Sequence, residues 1–220
     1  MSEIFLDIET TGLSFKEGHK IVEIACIETN ELIPTKRIFH KLINPERNVP
    51  DEAFKIHGFS SEFLRNKPKF SDIADEFISF IKDHDLIIHN ASFDLPFINH
   101  ELKQISKDLI KKNKIIDSLE LARGKFPGTS NSLDSLCKRF NIDLSKRNKH
   151  NALLDCDLLR EVYINLLDVK EPKLVFNTNL EKQELKNKNF NYSKKIVEIS
   201  PEEIESHQLF IKNELKKNFY

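Results

Sequence analysis

Two carboxylates stand two residues apart near the start of the chain, where they could hold a cation together. Asp7 and Glu9 alternate with apolar residues in a predicted strand, so both side chains point to the same face as Phe5. The strand ends directly after them, at Thr10-Thr11-Gly12. This pair fits either a cation site or an exposed strand end with two solvated acids.

Asp155 lies on the apolar stripe of a predicted helix. It precedes Leu158, Leu159 and Val162 by three, four and seven residues, which is the spacing of one helical face. A carboxylate on a face that packs against the core is costly unless it is paired or bound to a metal. This position therefore indicates a partner of positive charge.

Asp94 shows the same pattern in another helix. Phe97, Ile98 and Leu102 follow on its face, and the helix is predicted to begin at Asp94 itself. Pro96 would then fall in the first helical turn, where proline is tolerated. The alternative role for Asp94 is to cap the N-terminus of this helix.

Four such acids in one place would need compensating positive charge. Two carboxylates about 5 Å apart repel by roughly 3 kcal/mol at an effective dielectric constant of about 20, and four acids form several such pairs. Oxygen ligands favour Mg²⁺ or Mn²⁺ over zinc. Two of these ions can activate a water and stabilise the leaving oxygen of a phosphodiester. We therefore predict two divalent cations and a nucleic-acid substrate.

His150 completes this set of residues. It precedes Asp155 by five residues, about 140° around an ideal helix, so the two side chains cannot share one helical face. We place His150 in the preceding loop, with Asn151 capping the helix. There the imidazole could take a proton from the attacking water. The alternative is a surface histidine among neighbouring basic residues.

The elements that must position these residues alternate in type along the chain. Strands are predicted first in antiparallel hairpins and then in β-α crossovers, which favours an α/β fold with a mixed sheet flanked by helices. The predicted strands are Glu3 to Glu9, Ile21 to Thr29, Ile38 to Ile43, Leu86 to Ile88 and Ile115-Ile116. The predicted helices are Phe70 to Ile81, Asp94 to Leu102, Ser132 to Phe140 and Ala152 to Leu167.

Composition narrows the class of protein further. The chain has 220 residues, is 39% hydrophobic with 17 Phe, and carries a formal net charge of −1. These values predict a folded protein and argue against a simple polycationic binder of nucleic acid. The 3 Cys form no C-x-x-C pair, which argues against a disulfide framework or a thiolate zinc site. No apolar run approaches a membrane span, so we expect a cytoplasmic protein with no membrane partner.

Three segments resemble, in order and spacing, the three exonuclease motifs of the DEDDh 3′→5′ exonucleases. They are Asp7 to Leu13 (DIETTGL), His89 to Asp94 (HNASFD) and His150 to Asp155 (HNALLD). The resemblance covers roughly Glu3 to Leu167, and it is strongest to the members that proofread for a bacterial replicative DNA polymerase. It implies a ribonuclease H-like fold, two Mg²⁺ or Mn²⁺ ions, and release of nucleoside 5′-monophosphates from a DNA 3′ end.

The resemblance also implies a role for each residue of the site. Asp7, Glu9 and Asp155 would hold the catalytic ion, Asp7 and Asp94 would serve the second ion, and His150 would be the general base. The 3′-terminal nucleotide would be held in part by Asp7, Glu9 and Asp155. The other residues implied to hold it are Thr10, Thr11, Gly12, Leu13, Glu52 and His57.

Two of these implied contacts have a particular form. Leu13 would be a wedge between the last two bases. The segment Glu52 to Gly58, which contains His57, resembles the turn that contacts the terminal nucleotide in this family.

The regular apolar pattern becomes sparse after residue 168. We divide the chain into an exonuclease domain (1–168), a linker (169–195) and a docking segment (196–220), and expect a flexible tail that ends in a helix. Proofreading members of the family carry a sliding-clamp-binding peptide, Gln-x-x-Leu-or-Met-x-Phe, at this point. Residues 171–176 read EPKLVF, with Glu171 in place of the Gln. The alternative is that Leu174 and Phe176 pack on the chain's own domain.

A last helix is predicted from a capping box formed by Ser200 and Glu203, with Pro201 at the first helical position. Its apolar stripe is too small for this segment to fold alone. The resemblance implies that it docks on the alpha subunit of DNA polymerase III, and the alternative is a helix packed on the chain's own domain. The stripe consists of Ile204, Ile211, Leu215 and Phe219.

Two other functions remain open at this point. An RNA-directed DEDDh exonuclease, similar to oligoribonuclease or ribonuclease T, would share every catalytic residue. A non-catalytic structural subunit of a replicase could retain the fold. The tail argues against the first function, and the complete set of four acids with His150 argues against the second.

Overall fold

A mixed sheet of five strands forms the centre of the fold. The computed structural model describes residues 2–82, 84–111, 114–145, 147, 149–168 and 200–214. The strands are β1 (Ser2–Thr10), β2 (Ile21–Asn30), β3 (Ile33–Leu42), β4 (Asp85–Ile88) and β5 (Ile115–Asp117). Their order is β3-β2-β1-β4-β5, with antiparallel pairing on the β3 side of β1 and parallel pairing on the β5 side. This confirms the predicted mixed sheet.

Helices cover both faces of this sheet. The helices in the described residues are α1 (Asp51–His57), α2 (Ser61–Leu64), α3 (Phe70–Ile81), α4 (Ala91–Gln104), α5 (Ser118–Lys125), α6 (Leu133–Arg139), α7 (Ala152–Leu166) and α8 (Pro201–Glu214). A single 3₁₀ turn, Phe15–Glu17, lies between β1 and β2. The predicted bounds of α3 agree with the structure because apolar residues follow a strict helical period along its whole length.

The central strand β1 is buried on both faces. Ile4 and Leu6 point to one face, where they join a core cluster with Phe77 of α3 and Ile98 of α4. Phe5 points to the opposite face and joins a second cluster with residues of α7. Because side chains alternate along a strand, Asp7 and Glu9 point to the α7 side as well.

Three predicted elements differ from the structure. Helix α4 begins at Ala91 rather than Asp94, so Pro96 lies inside the helix instead of in its first turn, and Asp94 is not a cap. The Glu52 to Gly58 segment is a short helix rather than a turn, and it ends because Gly58 takes a left-handed φ of 81°. Strand β3 begins at Ile33 rather than Ile38.

The two strands β2 and β3 are joined by a tight turn without glycine. Glu31 and Leu32 have φ values of 51° and 64°, and the flanking Asn30 and Ile33 are register partners. Positive φ at both central positions is the geometry of a type I′ hairpin. Such turns are recognised in a sequence by Gly and Asn at the two central positions. Glu31 and Leu32 do not match this pattern, so the sequence placed the start of β3 too late.

The chain divides into two units, Met1–Leu174 and Val175–Tyr220. The predicted linker 169–195, with its 171–176 peptide, lies outside the described residues, and so do Leu215 and Phe219. In the second unit α8 begins at the predicted capping box. Ser200 N–H donates to Glu203 Oε2 at 3.0 Å, and Glu203 N–H donates to Ser200 Oγ at 3.2 Å. No helix in the described part of the chain is long and apolar enough to cross a membrane.

Candidate active site

Four acids from three elements meet at the carboxyl end of β1. Asp7 and Glu9 come from the strand, Asp94 from α4 and Asp155 from α7, and all four line one cavity of about 840 Å³ together with His150. Asp94 and Asp155 each keep only 3% of their surface exposed. The structure therefore brings together the four predicted acids, which lie up to 148 residues apart in the sequence.

The environment of Asp7, Glu9 and Asp94 opposes negative charge. Burial raises the pKa of Glu9 to about 8, and the nearby carboxylate of Asp155 adds to the shift. Burial also raises the pKa of Asp94 to about 8, although backbone N–H groups oppose the shift. Burial, followed by the charge of Asp94, raises the pKa of Asp7 well above its usual value. These carboxyls can all ionise near neutral pH only if positive charge enters the site.

A buried acid fixes the start of α7, the helix that carries Asp155. Glu23 on β2 is fully buried, and its carboxylate accepts hydrogen bonds from Asn151 Nδ2 and Ala152 N–H, both at 3.0 Å. The Asn151 side chain in turn accepts from Leu154 N–H at 3.0 Å, which confirms it as the predicted N-cap. Asp155 therefore stands on a helix whose first turn is tied to the sheet.

A second acid fixes the start of α4 in the same way. Asp117, at the end of β5, accepts hydrogen bonds from the N–H groups of Asn90 at 3.1 Å and Ala91 at 3.0 Å. Asn90 adopts a left-handed φ of 69°, a conformation that Asn tolerates better than most residues. This turn sets the direction of α4 and hence the position of Asp94.

His150 lies in the loop before α7, as predicted. Its backbone N–H donates to the carbonyl of Ile56 in α1 at 3.2 Å, which ties this loop to the neighbouring helix. The imidazole is half exposed, and its Nδ1 lies 3.6 Å from Asp155 Oδ2. Arg147, from the same loop, forms ion pairs with Asp155 and Asp134 and donates to His150 Nδ1.

A second cavity adjoins the first one. It has a volume of about 470 Å³, and Glu9 and Phe93 line both cavities. Its size suits one nucleotide rather than a longer strand. The residues predicted to hold the terminal nucleotide that line this second cavity are Glu9, Thr10, Thr11, Gly12, Leu13, Glu52 and His57, whereas Asp7 and Asp155 line the first.

Two residues of this second cavity have unusual surroundings. His57 is buried, its Nδ1 accepts from Phe59 N–H at 3.0 Å, and its Nε2 has no hydrogen-bond partner among the described residues. Burial lowers the pKa of His57, although the backbone of Thr10 opposes the shift. Because Nδ1 accepts a hydrogen bond, the neutral ring carries its proton on Nε2. Leu13 is 84% exposed, which is unusual for leucine and leaves its side chain available to a ligand.

The donor set fits a divalent cation. Glu9, His150 and Asp155 each offer a ligand atom, and these three atoms lie within 4.8 Å of one another. The other acids of the cavity supply further oxygens. Buried carboxyls with strongly raised pKa values at the end of a strand are typical of a metal site or a catalytic site rather than a structural one.

Sequence reasoning missed three residues that position the site: Glu23, Asp117 and Arg147. Glu23 stands inside a strand between Val22 and Ile24, and an acid within so apolar a strand is a signal of a buried partner. Asp117 directly follows Ile115-Ile116, and this position at the end of a predicted strand is the only feature of the sequence that marks it. In the structure it also caps α5 by accepting from Leu119 N–H. Arg147 gave no signal, because it stands among other basic residues in a loop, where no strand or helix period marks a side chain that will be buried.

The chain is similar to a known protein family and to proteins that belong to it. A family model described as Exonuclease (RNase_T) matches residues 4–163. The subunit epsilon of DNA polymerase III from Rickettsia felis is 44% identical over 225 residues, covering 98% of both chains. The subunit epsilon from Escherichia coli K12 is 47% identical over 169 residues, covering 74% of this chain and 70% of the relative.

Solved structures share the fold at lower identity. Exonuclease X in complex with 5′ overhanging duplex DNA aligns with a TM-score of 0.60 and 23% identity, covering 76% of this chain and 92% of that one. The nuclease domain of 3′hExo, a DEDDh family member bound to rAMP, aligns with a TM-score of 0.66 and 17% identity. This alignment covers 76% of this chain and 92% of that one. The fold at this level of identity is that of the ribonuclease H-like exonucleases.

Proposed function

Because the chain belongs to the exonuclease family, within the group of DNA polymerase III epsilon subunits, we propose that its cavity of four acids is the active site of a proofreading 3′→5′ exonuclease. The chain is a DEDDh exonuclease of the DNA polymerase III complex, and this family uses divalent cations. The observation that carries the assignment of the site is the meeting of Asp7, Glu9, Asp94 and Asp155 in one cavity beside His150.

We propose that the cations are two Mg²⁺ or Mn²⁺ ions. Asp7, Glu9 and Asp155 would hold the catalytic ion, and Asp7 and Asp94 would serve the second. Carboxylate oxygens suit these hard cations, and the raised pKa values of Glu9 and Asp94 indicate how strongly the site needs positive charge. When bound, the cations supply Lewis acidity that activates a water and stabilises the leaving 3′ oxygen of the scissile phosphodiester.

His150 would act as the general base. It stands beside Asp155 at the mouth of the cavity, and a half-exposed imidazole can accept a proton from an attacking water and pass it to solvent. Its hydrogen bond to Ile56 of α1 connects the base to the wall of the second cavity. The distance between the base and the terminal nucleotide would therefore be set by the protein backbone.

The second cavity would hold the 3′-terminal nucleotide. The Thr10 to Leu13 turn is rigid, because Thr11 N–H donates to the Lys20 carbonyl at 2.9 Å and Lys20 N–H donates to Thr11 Oγ1 at 3.0 Å. Its backbone and side chains would bind the sugar together with Glu52. The Nε2–H of His57 would donate to the nucleotide, and Leu13 would separate the last two bases.

An assay of substrate choice tests this function. We expect the full-length chain in Mg²⁺ to shorten 5′-labelled DNA from its 3′ end, faster at a mismatch than at a pair, with nucleoside 5′-monophosphates as products. RNA of the same sequence is the comparison that separates proofreading from the RNA-directed alternative. A faster rate on RNA than on DNA would overturn the proposed substrate, and shortening from the 5′ end would overturn the proposed polarity.

We further propose how the chain joins the polymerase complex. Residues 196–220 would contact the alpha subunit, and residues 171–176 would contact the sliding clamp. The exposed apolar side chains of α8, such as Ile204, Leu209 and Phe210, support a protein partner for this helix. Such a complex would work in the cytoplasm, on the chromosome of the cell.

A further inference from the structure

Arg147 occupies the functional atoms of two active-site residues at once. Its Nε donates to Asp155 Oδ1 at 2.6 Å and its Nη2 donates to Asp155 Oδ2 at 2.7 Å, a bidentate pair that uses both carboxylate oxygens. The same Nη2 donates to His150 Nδ1 at 3.0 Å. One guanidinium therefore contacts a proposed metal ligand and the proposed base together.

The contact is built into the protein rather than formed by a loose surface side chain. The Arg147 side chain is 8% exposed, and the Asp155 side chain is 4% exposed. A third contact, from Nη1 to Asp134 Oδ1, holds the guanidinium on the side facing α6. Arg147 is thus held between two helices by two carboxylates.

The contacts of Arg147 limit what both His150 and Asp155 can do. When Nδ1 of His150 accepts from Arg147, its lone pair is engaged, so the ring cannot take a proton at that atom. When both Asp155 oxygens are engaged by a guanidinium, a divalent cation must either displace it or share the oxygens with a neighbouring positive charge. Like charges at such short range repel strongly in a partly buried site.

We propose that Arg147 is an internal competitor of the catalytic cation, which holds Asp155 and His150 inactive until the cation and the DNA 3′ end displace it. Arg147 would therefore set the cation concentration at which the exonuclease becomes active. This inference rests on the proposed function, because it takes Asp155 as a metal ligand and His150 as the base.

The test is the Mn²⁺ affinity of the full-length chain, measured by isothermal titration calorimetry on wild type and on Arg147→Gln. We expect Arg147→Gln to bind Mn²⁺ roughly 10-fold more tightly, because the competing charge is gone. Arg123→Gln is the matched control. Arg123 lines the same cavity, and the structure gives it no ion pair with Asp155 or contact with His150 among the described residues. Its replacement should change the affinity less than about twofold.

A second variant keeps the test decisive if Arg147→Gln does not fold. Arg147→Lys retains the charge but cannot form the bidentate pair, so it should bind Mn²⁺ more tightly than wild type by a smaller factor. The Mn²⁺ concentration for half-maximal exonuclease rate should fall in the same order. If Arg147→Lys bound Mn²⁺ with the same affinity as wild type, the competition would not depend on the bidentate contact, and this part of the inference would be contradicted.

Two outcomes would overturn the inference in distinguishable ways. If wild type binds Mn²⁺ but Arg147→Gln binds it equally or more weakly, Arg147 supports Asp155 as a ligand and does not compete with the ion, while the proposed function stands. If wild type binds no Mn²⁺ and Asp155→Asn behaves the same, the proposed metal site itself is wrong.

Discussion

The carboxylate of Glu23 accepts a 3.0 Å hydrogen bond from the backbone N–H of Ala152, the first residue of the helix that carries Asp155. These two residues are 129 positions apart in the sequence, and their contact joins the second strand of the sheet to the last helix of the first unit. Asp117 binds the start of the helix that carries Asp94 in the same way. Two acids that do not line the cavity thus position the helices that carry two of its acids.

Glu23→Ala should weaken both the fold and the activity. The substitution leaves Ala152 N–H and the Asn151 side chain without their buried acceptor, so we expect a loss of about 1–3 kcal/mol in the free energy of unfolding. The exonuclease rate should also fall, since α7 would lose its anchor. Urea denaturation and a primer-shortening assay measure the two effects.

Glu161→Ala is the control for this change, because Glu161 is an exposed acid on the same helix. It should alter the unfolding free energy by less than about 0.5 kcal/mol. A Glu23→Ala protein as stable and as active as Glu161→Ala would show that the buried carboxylate does not position α7.

His150→Ala should slow turnover without removing the metal. A positioned base contributes about 10²-fold or more to the rate, so we expect a loss of at least that size in kcat. The affinity for Mn²⁺, measured by titration calorimetry, should change little, because the carboxylates supply most of the ligand oxygens. Loss of Mn²⁺ binding in His150→Ala would instead assign His150 to the metal, as its distance from Glu9 and Asp155 permits.

The stability of the protein in EDTA should fall as the pH rises. Glu9 and Asp94 have folded-state pKa values of about 8, above their ordinary values of 4.5 and 3.8, so the folded state binds more protons than the unfolded state between these limits. Their contribution to stability is therefore complete below about pH 4 and lost as the pH passes about 8. Thermal unfolding across this range measures the slope.

Asp94→Asn should make that slope shallower, because an amide needs no proton to remain neutral. Asp157→Asn, an exposed position on α7, should leave the slope unchanged. An EDTA-treated protein whose stability rises between pH 5 and pH 8 would contradict the direction of both pKa shifts.

Ile204→Asp should separate complex formation from catalysis. Ile204 is an exposed apolar residue of α8, and a charge there would oppose burial against a partner. We expect the exonuclease rate to be unchanged and co-elution with the alpha subunit to be lost, as in a chain that lacks residues 194–220. Glu205→Ala on the same helix is the control, and co-elution of Ile204→Asp at the wild-type level would place the contact elsewhere.

The acids of the site could be predicted because a carboxylate is unexpected at each of their positions. Asp94 and Asp155 interrupt apolar stripes, and Asp7 and Glu9 share a strand face. A carboxylate in such a place needs a compensating positive charge. The mixed sheet followed from alternating strands and helices in the same way. These features are local patterns that one stretch of the chain displays by itself.

The features that escaped prediction leave no periodic pattern in the sequence. Arg147 has three partners in the fold, but it lies in a loop, and nothing in the sequence distinguishes it from the other basic residues of that loop. Helix α1 was missed because the family resemblance implied a turn there, and because it buries only Ala53 and His57, which leaves no apolar stripe to indicate a helix. The start of α4 was misplaced because Pro96 suggested a first turn, whereas Asp117 fixes that start from another strand.

The most direct test of the central claim is the rate at which Asp7→Asn removes a mismatched 3′ nucleotide from a 5′-labelled DNA primer in Mg²⁺. The substitution preserves the shape of the side chain and removes one proposed ligand of both cations. We expect wild type to shorten the primer from its 3′ end and Asp7→Asn to be slower by roughly 10²-fold or more, with an unchanged circular dichroism spectrum. Equal rates for the two folded proteins would contradict the assignment of these acids as a metal-dependent exonuclease site.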